Sequence, residues 1–394
     1  MFDFESRSII ESLRSGVPSI TVGKYFSQAR PTIMRAITSE IDNVVNSEKS
    51  SGMIISGKYG EGKTHLLQTI HNLAFNSNMV VSYVSLGKET PMDKLHVLYS
   101  KIINNTYLPN HKQPGFLHLL DERTSNDPLI KDLLLYSSRS LETDKLYYLL
   151  RAYYSLENND EKFLLKADLE GDYVSNAVLK RIYRENIREK VKYNIPFSKT
   201  KHIQDYFNFM SHLFKVLGYN GWIILFDETE LIGRLSKKAR IKAYNNMSFF
   251  LNPNKNLEST ISVFALSSSY VEDVIENKNE KANIEELEPE LQKTPREIVN
   301  SLINAKELRP LTNEEIHFVF EKIVEFYKKA YEWDYDVPIF ELESKAKNSA
   351  YLLRTRIRYA IEYLDQLYQY GDVVDSSISN LITKEDVSVE IPDE

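Results

Sequence analysis

Apolar positions along the chain change period several times, and each change marks an element. "SGMIISG" (51–57) is a short apolar run of buried-strand length that ends on glycine. "THLLQTIHNLAFN" (64–76) has the three-to-four spacing of a helix, and "MVVSYVSLG" (79–87) is a second β-rich run that stops at glycine. Strand, glycine loop, helix and strand predict a βαβ unit, which calls for a parallel sheet. Two more buried strands are predicted, "WIILFDE" (222–228) ending in two acids and "STISVFALSSS" (259–269) ending in serines. Ahead of the first strand, "SIIESLRSG" puts Ile9, Ile10 and Leu13 on one helical face, and Gly16 and Pro18 punctuate it. From 88 to 206 the pattern becomes long Leu- and Tyr-rich helical stretches with polar breaks such as "ENNDEK". After 310 it is helical again, with Thr312 and Glu315 predicting a capping box, and it finishes in the acidic "KEDVSVEIPDE".

The eight residues Gly57-Lys58-Tyr59-Gly60-Glu61-Gly62-Lys63-Thr64 lie between the predicted strand and the predicted helix. Glycines there let backbone N–H groups wrap a phosphate, and the helix offers its positive N-terminus to the same anion. In this P-loop pattern Lys63 reaches the β- and γ-phosphates of ATP and the Thr64 hydroxyl ligates Mg²⁺. Gly57, Gly60, Glu61, Gly62, Lys63, Thr64 and His65 form the expected nucleotide-contact set. The expected fold is therefore an α/β P-loop NTPase, a three-layer α/β/α core with a parallel sheet. Its expected parts are an N-terminal helical segment (1–50) flanking the nucleotide, the core (51–87 and 207–310), a helical insertion (88–206) and a C-terminal helical lid (311–394).

Asp227 and Glu228 cap an apolar strand, as the Walker B acids of such proteins do. Asp227 suits hydrated Mg²⁺ and Glu228 suits a general base that polarises the attacking water. Glu230 reads as a surface residue or a helix cap. Ser267 or Ser268, at the end of the next strand, fits a γ-phosphate sensor, and a plain serine-rich turn is the alternative. In "LLRTRIRYAIEYLD" (352–365), Arg354 and Arg358 share a helix face and either could reach the γ-phosphate; a solvated basic face would look the same. Arg234 and Arg240 read as exposed residues or as arginine fingers toward a neighbouring copy.

The net charge of −7 argues against a surface that is basic all over, so any nucleic-acid contact needs a local patch or a partner. The best local candidate is "LKRIYRENIREKVKY", where Lys180, Arg184, Arg188 and Lys192 recur every four residues and predict an amphipathic helix with a basic stripe. Residues 180–192 hold six Lys/Arg and two Glu, a patch suited to a DNA backbone or simply to solvent. There is no cysteine, which removes disulfides and thiolate metal sites. No apolar run reaches the ~18–20 residues of a membrane helix, and the N-terminus lacks a signal-peptide core. The expected location is cytoplasmic. No HExxH and no Gly-x-Ser-x-Gly occurs, so neither a zinc hydrolase nor an esterase is expected.

The order of these motifs resembles an AAA+/STAND-type P-loop ATPase with a helical lid. More narrowly, the chain resembles the BREX-system ATP-binding family of bacterial phage-defence proteins. The pieces that carry this are "RSIIESLRSGVP", "GKYGEGKTHLL", "KADLEGDYV", "LGYNGWIILFDE", "RIKAYNN" and "LLRTRIRYAIEYLD". The resemblance implies that Arg7 to Pro18 line the adenine side, and that the protein is an ATP-hydrolysing switch or motor of anti-phage defence. It also implies action on DNA or with a helicase or another defence subunit, and leaves a homo-oligomer open. Leu353-Arg354 stands where a Pro-Arg pair would be expected. The other reading is a nucleotide-gated scaffold or DNA-binding adaptor with little hydrolysis, against which an intact Glu228 argues.

Overall fold

The computed structural model describes residues 3–17, 19–111, 113–253, 257–349 and 352–373, so Pro18 and the acidic tail lie outside the described residues. Six strands, β1 (Ser51–Gly57), β2 (Met79–Ser85), β3 (Thr106–Tyr107), β4 (Gly221–Asp227), β5 (Thr260–Ser267) and β6 (Lys306–Glu307), form one sheet in the order β3-β2-β4-β5-β1-β6. The chain divides into two compact units. The first comprises Met1–Thr38, Ser56–Leu73 and Glu307–Glu394, and the second Ser39–Ile55 and Ala74–Lys306.

In the second unit β2 pairs with β4, and β4 with β5, in parallel. Every residue of β4 is buried, which explains its unbroken apolar run: a strand covered on both faces has no solvent side to alternate with. Some of the polar side chains inside pair with one another across strands. The Trp222 indole donates to Ser82 Oγ at 2.8 Å, and Ser82 and Thr106 share a hydrogen bond of 2.6 Å. Thr106 belongs to β3, an antiparallel edge strand within the stretch expected to be helical. Two residues are too few to display a strand period.

Two helices of the 88–206 stretch, Lys145–Ser155 and Asn159–Leu169, are joined by a buried ion pair, Lys145 to Asp168 at 2.6 Å. Asp168 also accepts from Tyr206 Oη at 2.5 Å and from the Val174 N–H at 2.6 Å. These bonds share the desolvation cost of the anion.

The predicted helix through 192 is corrected. A helix covers Asn176–Ile182, a π-helical turn covers Tyr183–Ile187, and Arg188 has φ of 59°, which terminates it. Beyond it Val191 is buried, and the Lys192 carbonyl accepts from Tyr148 Oη at 3.1 Å. Lys180, Arg184, Arg188 and Lys192 are all exposed, but they do not form a stripe on one helix.

In the first unit, α1 (Phe4–Ser15) starts at Asp3, whose carboxylate accepts from the Glu5 and Ser6 N–H groups. It ends at Gly16, φ +66°, with the paired backbone bonds Gly16 N to Leu13 O and Val17 N to Ser12 O. Ile9, Ile10 and Leu13 join a core with Val319, Phe320 and Ile323 from the helix Asn313–Tyr331. That helix opens with the capping box Thr312–Glu315, as expected. α2 (Ile20–Tyr25) follows in this unit, and α3 (Pro31–Ser47) and α4 (Lys63–Asn76) begin in it. α2 approaches α4 so closely that a Cβ on Gly23 would lie 2.6 Å from the Gln68 carbonyl, and Asn72 Nδ2 donates to Ile20 O at 2.7 Å.

Candidate nucleotide-binding site

β1 ends at Gly57 and α4 begins at Lys63, so the glycine loop occupies the short connection that the sequence assigned to it. Gly60 and Gly62 have φ of +77° and +88°, a region costly for any residue with a Cβ. A Cβ on Gly62 would meet nothing within 4 Å, so there is open space beside the residue that precedes α4. Lys63 Nζ donates to Gly57 O at 2.9 Å and to Lys58 O at 3.2 Å. Glu61 Oε2 accepts from the Lys58 N–H at 2.9 Å. The loop's lysine and its own acid thus bond to the loop's backbone. Thr64 stands partly exposed in the first turn of α4.

A residue the sequence did not single out braces this loop. Arg30 donates to Glu61 O and to Arg309 O, each at 2.6 Å. Arg309 in turn grips Glu315 with two bonds of 2.8 and 2.6 Å. Burial lowers the Arg30 guanidinium to about 10, which still leaves it charged at neutral pH. A lone arginine before Pro31 carries no motif, so only long-range contact reveals it.

Beside the loop, within the same unit, is an open cavity of about 580 Å³. Leu13, Val22, Phe26, Leu353 and Ile357 supply much of its apolar wall, and Gly62 and His65 border it. Of the segment Arg7 to Pro18, Leu13 is the member that lines it; Pro18 lies outside the described residues. Burial, and then the charge of Arg354, hold the His65 imidazole down to about 4, so it is neutral at neutral pH. Arg354 is exposed near the start of the helix Leu353–Tyr370, and a Cβ on Gly16 would lie 2.7 Å from its Nε. Arg358, one turn further on, is partly buried.

The second unit holds the paired acids. Asp227, the last residue of β4, is 3% exposed. Its Oδ2 accepts from Tyr83 Oη at 2.7 Å and its Oδ1 from the Glu228 N–H at 2.9 Å. Glu228 is left-handed, φ 54°, and partly exposed. Non-glycine residues rarely adopt that conformation. Ser267 and Ser269 share a 3.1 Å bond, and Ser268 beside them is partly exposed. Glu230 is neither a free surface residue nor a cap: its Oε2 accepts from the Ser267 N–H at 3.1 Å, tying the end of β5 to the turn after β4.

Arg240 also differs from expectation. It is buried, donates to Glu280 at 2.5 and 3.1 Å, and reaches Leu235 O at 2.7 Å. A guanidinium held by a buried carboxylate and a carbonyl is neither exposed nor extended as a finger. Arg234 is exposed.

A glycine loop between strand and helix, on a mostly parallel six-stranded sheet flanked by many helices, is consistent with a P-loop NTPase-like α/β fold. The sequence pattern of the BREX system ATP-binding protein BrxC/D family matches residues 3–125 and 142–379. The chain belongs to that family, whose description names ATP as the ligand and BREX defence as the setting. No curated protein matches the chain. Among the described residues no helix is long and apolar enough to cross a membrane.

Proposed function

We propose that the chain is an ATP-binding, ATP-hydrolysing AAA+/STAND-like switch or motor of a BREX-type defence system. The observation that carries this reading is the open glycine loop at the head of α4, with an apolar cavity beside it in the same unit. An open anion cradle next to an apolar cavity suits a triphosphate joined to a flat base. The base would lie against Leu13 and its neighbours, with neutral His65 at the border.

On this reading Lys63 leaves the loop carbonyls for the β- and γ-phosphates, and the N–H groups of Gly60 to His65 face the phosphate oxygens. Thr64 and Asp227 are the proposed Mg²⁺ contacts. Among the described residues no three His, Cys, Asp or Glu are grouped to hold a metal by themselves. Such a cation would therefore depend on phosphate and water, as Mg²⁺ commonly does. When bound, Mg²⁺ neutralises phosphate charge. Glu228 is the proposed base that takes the proton of the attacking water. Ser267 or Ser268, and Arg354 or Arg358, are the proposed γ-phosphate contacts.

The parts we propose are the N-terminal segment 1–50, the core, the insertion 88–206 and the lid 311–394. ATP would close the lid and hydrolysis would release it. DNA, reached through Lys180, Arg184, Arg188 and Lys192, a helicase or other defence subunit, and further copies of the chain are proposed partners, and the cytoplasm is the proposed location. ATP binding and steady-state turnover, measured with and without DNA, test the reading. Binding without turnover would favour a nucleotide-gated scaffold, and no binding would reject both.

A further inference from the structure

Asp227 is held from several directions by its own unit. The Tyr83 hydroxyl donates to Oδ2 at 2.7 Å, the Glu228 N–H donates to Oδ1 at 2.9 Å, and the Leu86 N–H donates to the Asp227 carbonyl at 2.9 Å. The register explains how Tyr83 reaches it. Ser85 lies opposite Asp227 and Tyr83 opposite Leu225, so Tyr83 stands two residues back on the neighbouring strand, on the same sheet face. A long side chain spans that diagonal and a short one would not. At 3% exposure Asp227 has little water to solvate its charge, so protein donors must do so.

We propose that Tyr83 is the positioning residue for Asp227: its hydroxyl sets the carboxylate plane and thereby the direction in which the remaining lone pairs meet a hydrated divalent cation. The proposal rests on the reading of Asp227 as the Mg²⁺ contact. With each oxygen already taking one donor, the carboxylate cannot swing about its Cβ–Cγ bond without breaking a bond. Each oxygen keeps a lone pair for a metal-bound water. Outer-shell donors of this kind typically change metal affinity by 10–100-fold when removed.

Tyr83→Phe keeps the ring and removes the donor. The measurement is the Mg²⁺ concentration that half-saturates binding of a fluorescent ATP analogue to the full chain. It is paired with binding in EDTA and with thermal unfolding without nucleotide. We expect the half-saturating Mg²⁺ to rise about tenfold with EDTA binding unchanged, and the unfolding temperature to fall modestly because the buried carboxylate loses a donor. Asp227→Asn, run beside it, should show a larger shift, and adding Tyr83→Phe to Asp227→Asn should change little, since the two act as one unit. If Asp227→Asn shifts the Mg²⁺ dependence and Tyr83→Phe does not, the role of Tyr83 is refuted while the site reading stands. If Asp227→Asn leaves the dependence unmoved, the reading of Asp227 falls and the proposal with it. A Tyr83→Phe protein whose binding in EDTA falls as much as its Mg²⁺-dependent binding would mark Tyr83 as a packing residue only and overturn the proposal.

Discussion

At the scale of single residues, the loop makes the firmest demands. Lys63 bonds to two loop carbonyls, and as the counter-charge for phosphate it should be irreplaceable. Lys63→Ala is expected to lower ATP affinity and to reduce turnover to near background, because the transferring phosphate loses charge stabilisation. Turnover at the wild-type rate would sink the P-loop reading. The two strand-end acids should separate. Glu228→Gln keeps the shape and removes the base, so ATP should bind normally and hydrolysis should fall by about 10²–10⁴. Asp227→Asn should instead raise the Mg²⁺ requirement for binding. Equal losses of ATP affinity in both variants, read by calorimetry, would undo that division.

His65 adds a pH prediction at the same scale. Its folded value, about 4, lies below the ordinary histidine value of 6.5, so the unfolded chain binds the extra proton between those limits. Stability should therefore be full above pH 6.5 and decline as pH falls toward 4. His71, also held down to about 4 by burial, acts in the same direction. In denaturant titrations His65→Gln should flatten this decline without abolishing it.

At the scale of elements, α2 and α4 meet where only glycine fits. A methyl group on Gly23 would sit 2.6 Å from the Gln68 carbonyl, on helix backbone that cannot give way cheaply. Gly23→Ala should destabilise the first unit by about 1–3 kcal/mol, the usual range for overpacking. Because Gly23 also lines the cavity, nucleotide affinity should fall with it. A melting curve that coincides with the parent's would show that the two helices separate easily.

Elements were legible in the sequence to the extent that their cause is local. The capping box at Thr312 and Glu315, the αL glycine that ends α1, and the apolar run of β4 each depend on residues a few positions apart. The helix expected through Lys192 was not: Val191 is buried and Tyr148 binds the Lys192 carbonyl, and neither is visible in a four-residue charge period. The two-residue β3 exists because β2 offers it an edge, and its own two residues could not announce it.

At the scale of the whole molecule, the charge of −7 makes any DNA contact a local affair. Arg184 and Arg188 are exposed, and reversing both to Glu should weaken DNA binding and flatten its salt dependence if they meet phosphates. ATPase without DNA should be unchanged. An unaltered salt slope would leave these residues to solvent and send the search for a DNA surface elsewhere.

What the sequence determined by itself is the chemistry carried by contiguous residues. The glycine loop from Gly57 to Thr64, its place between strand and helix, and the acids at the end of β4 were all readable, because backbone conformation and helix start depend on near neighbours. The tertiary structure alone decided which distant side chains hold those groups. Arg30 meets Glu61 across 31 positions, Tyr83 meets Asp227 across 144, and Arg240 finds Glu280 across 40. A sequence shows that a buried charge needs a partner but not which one, because the partner is chosen by the packing of elements far apart along the chain.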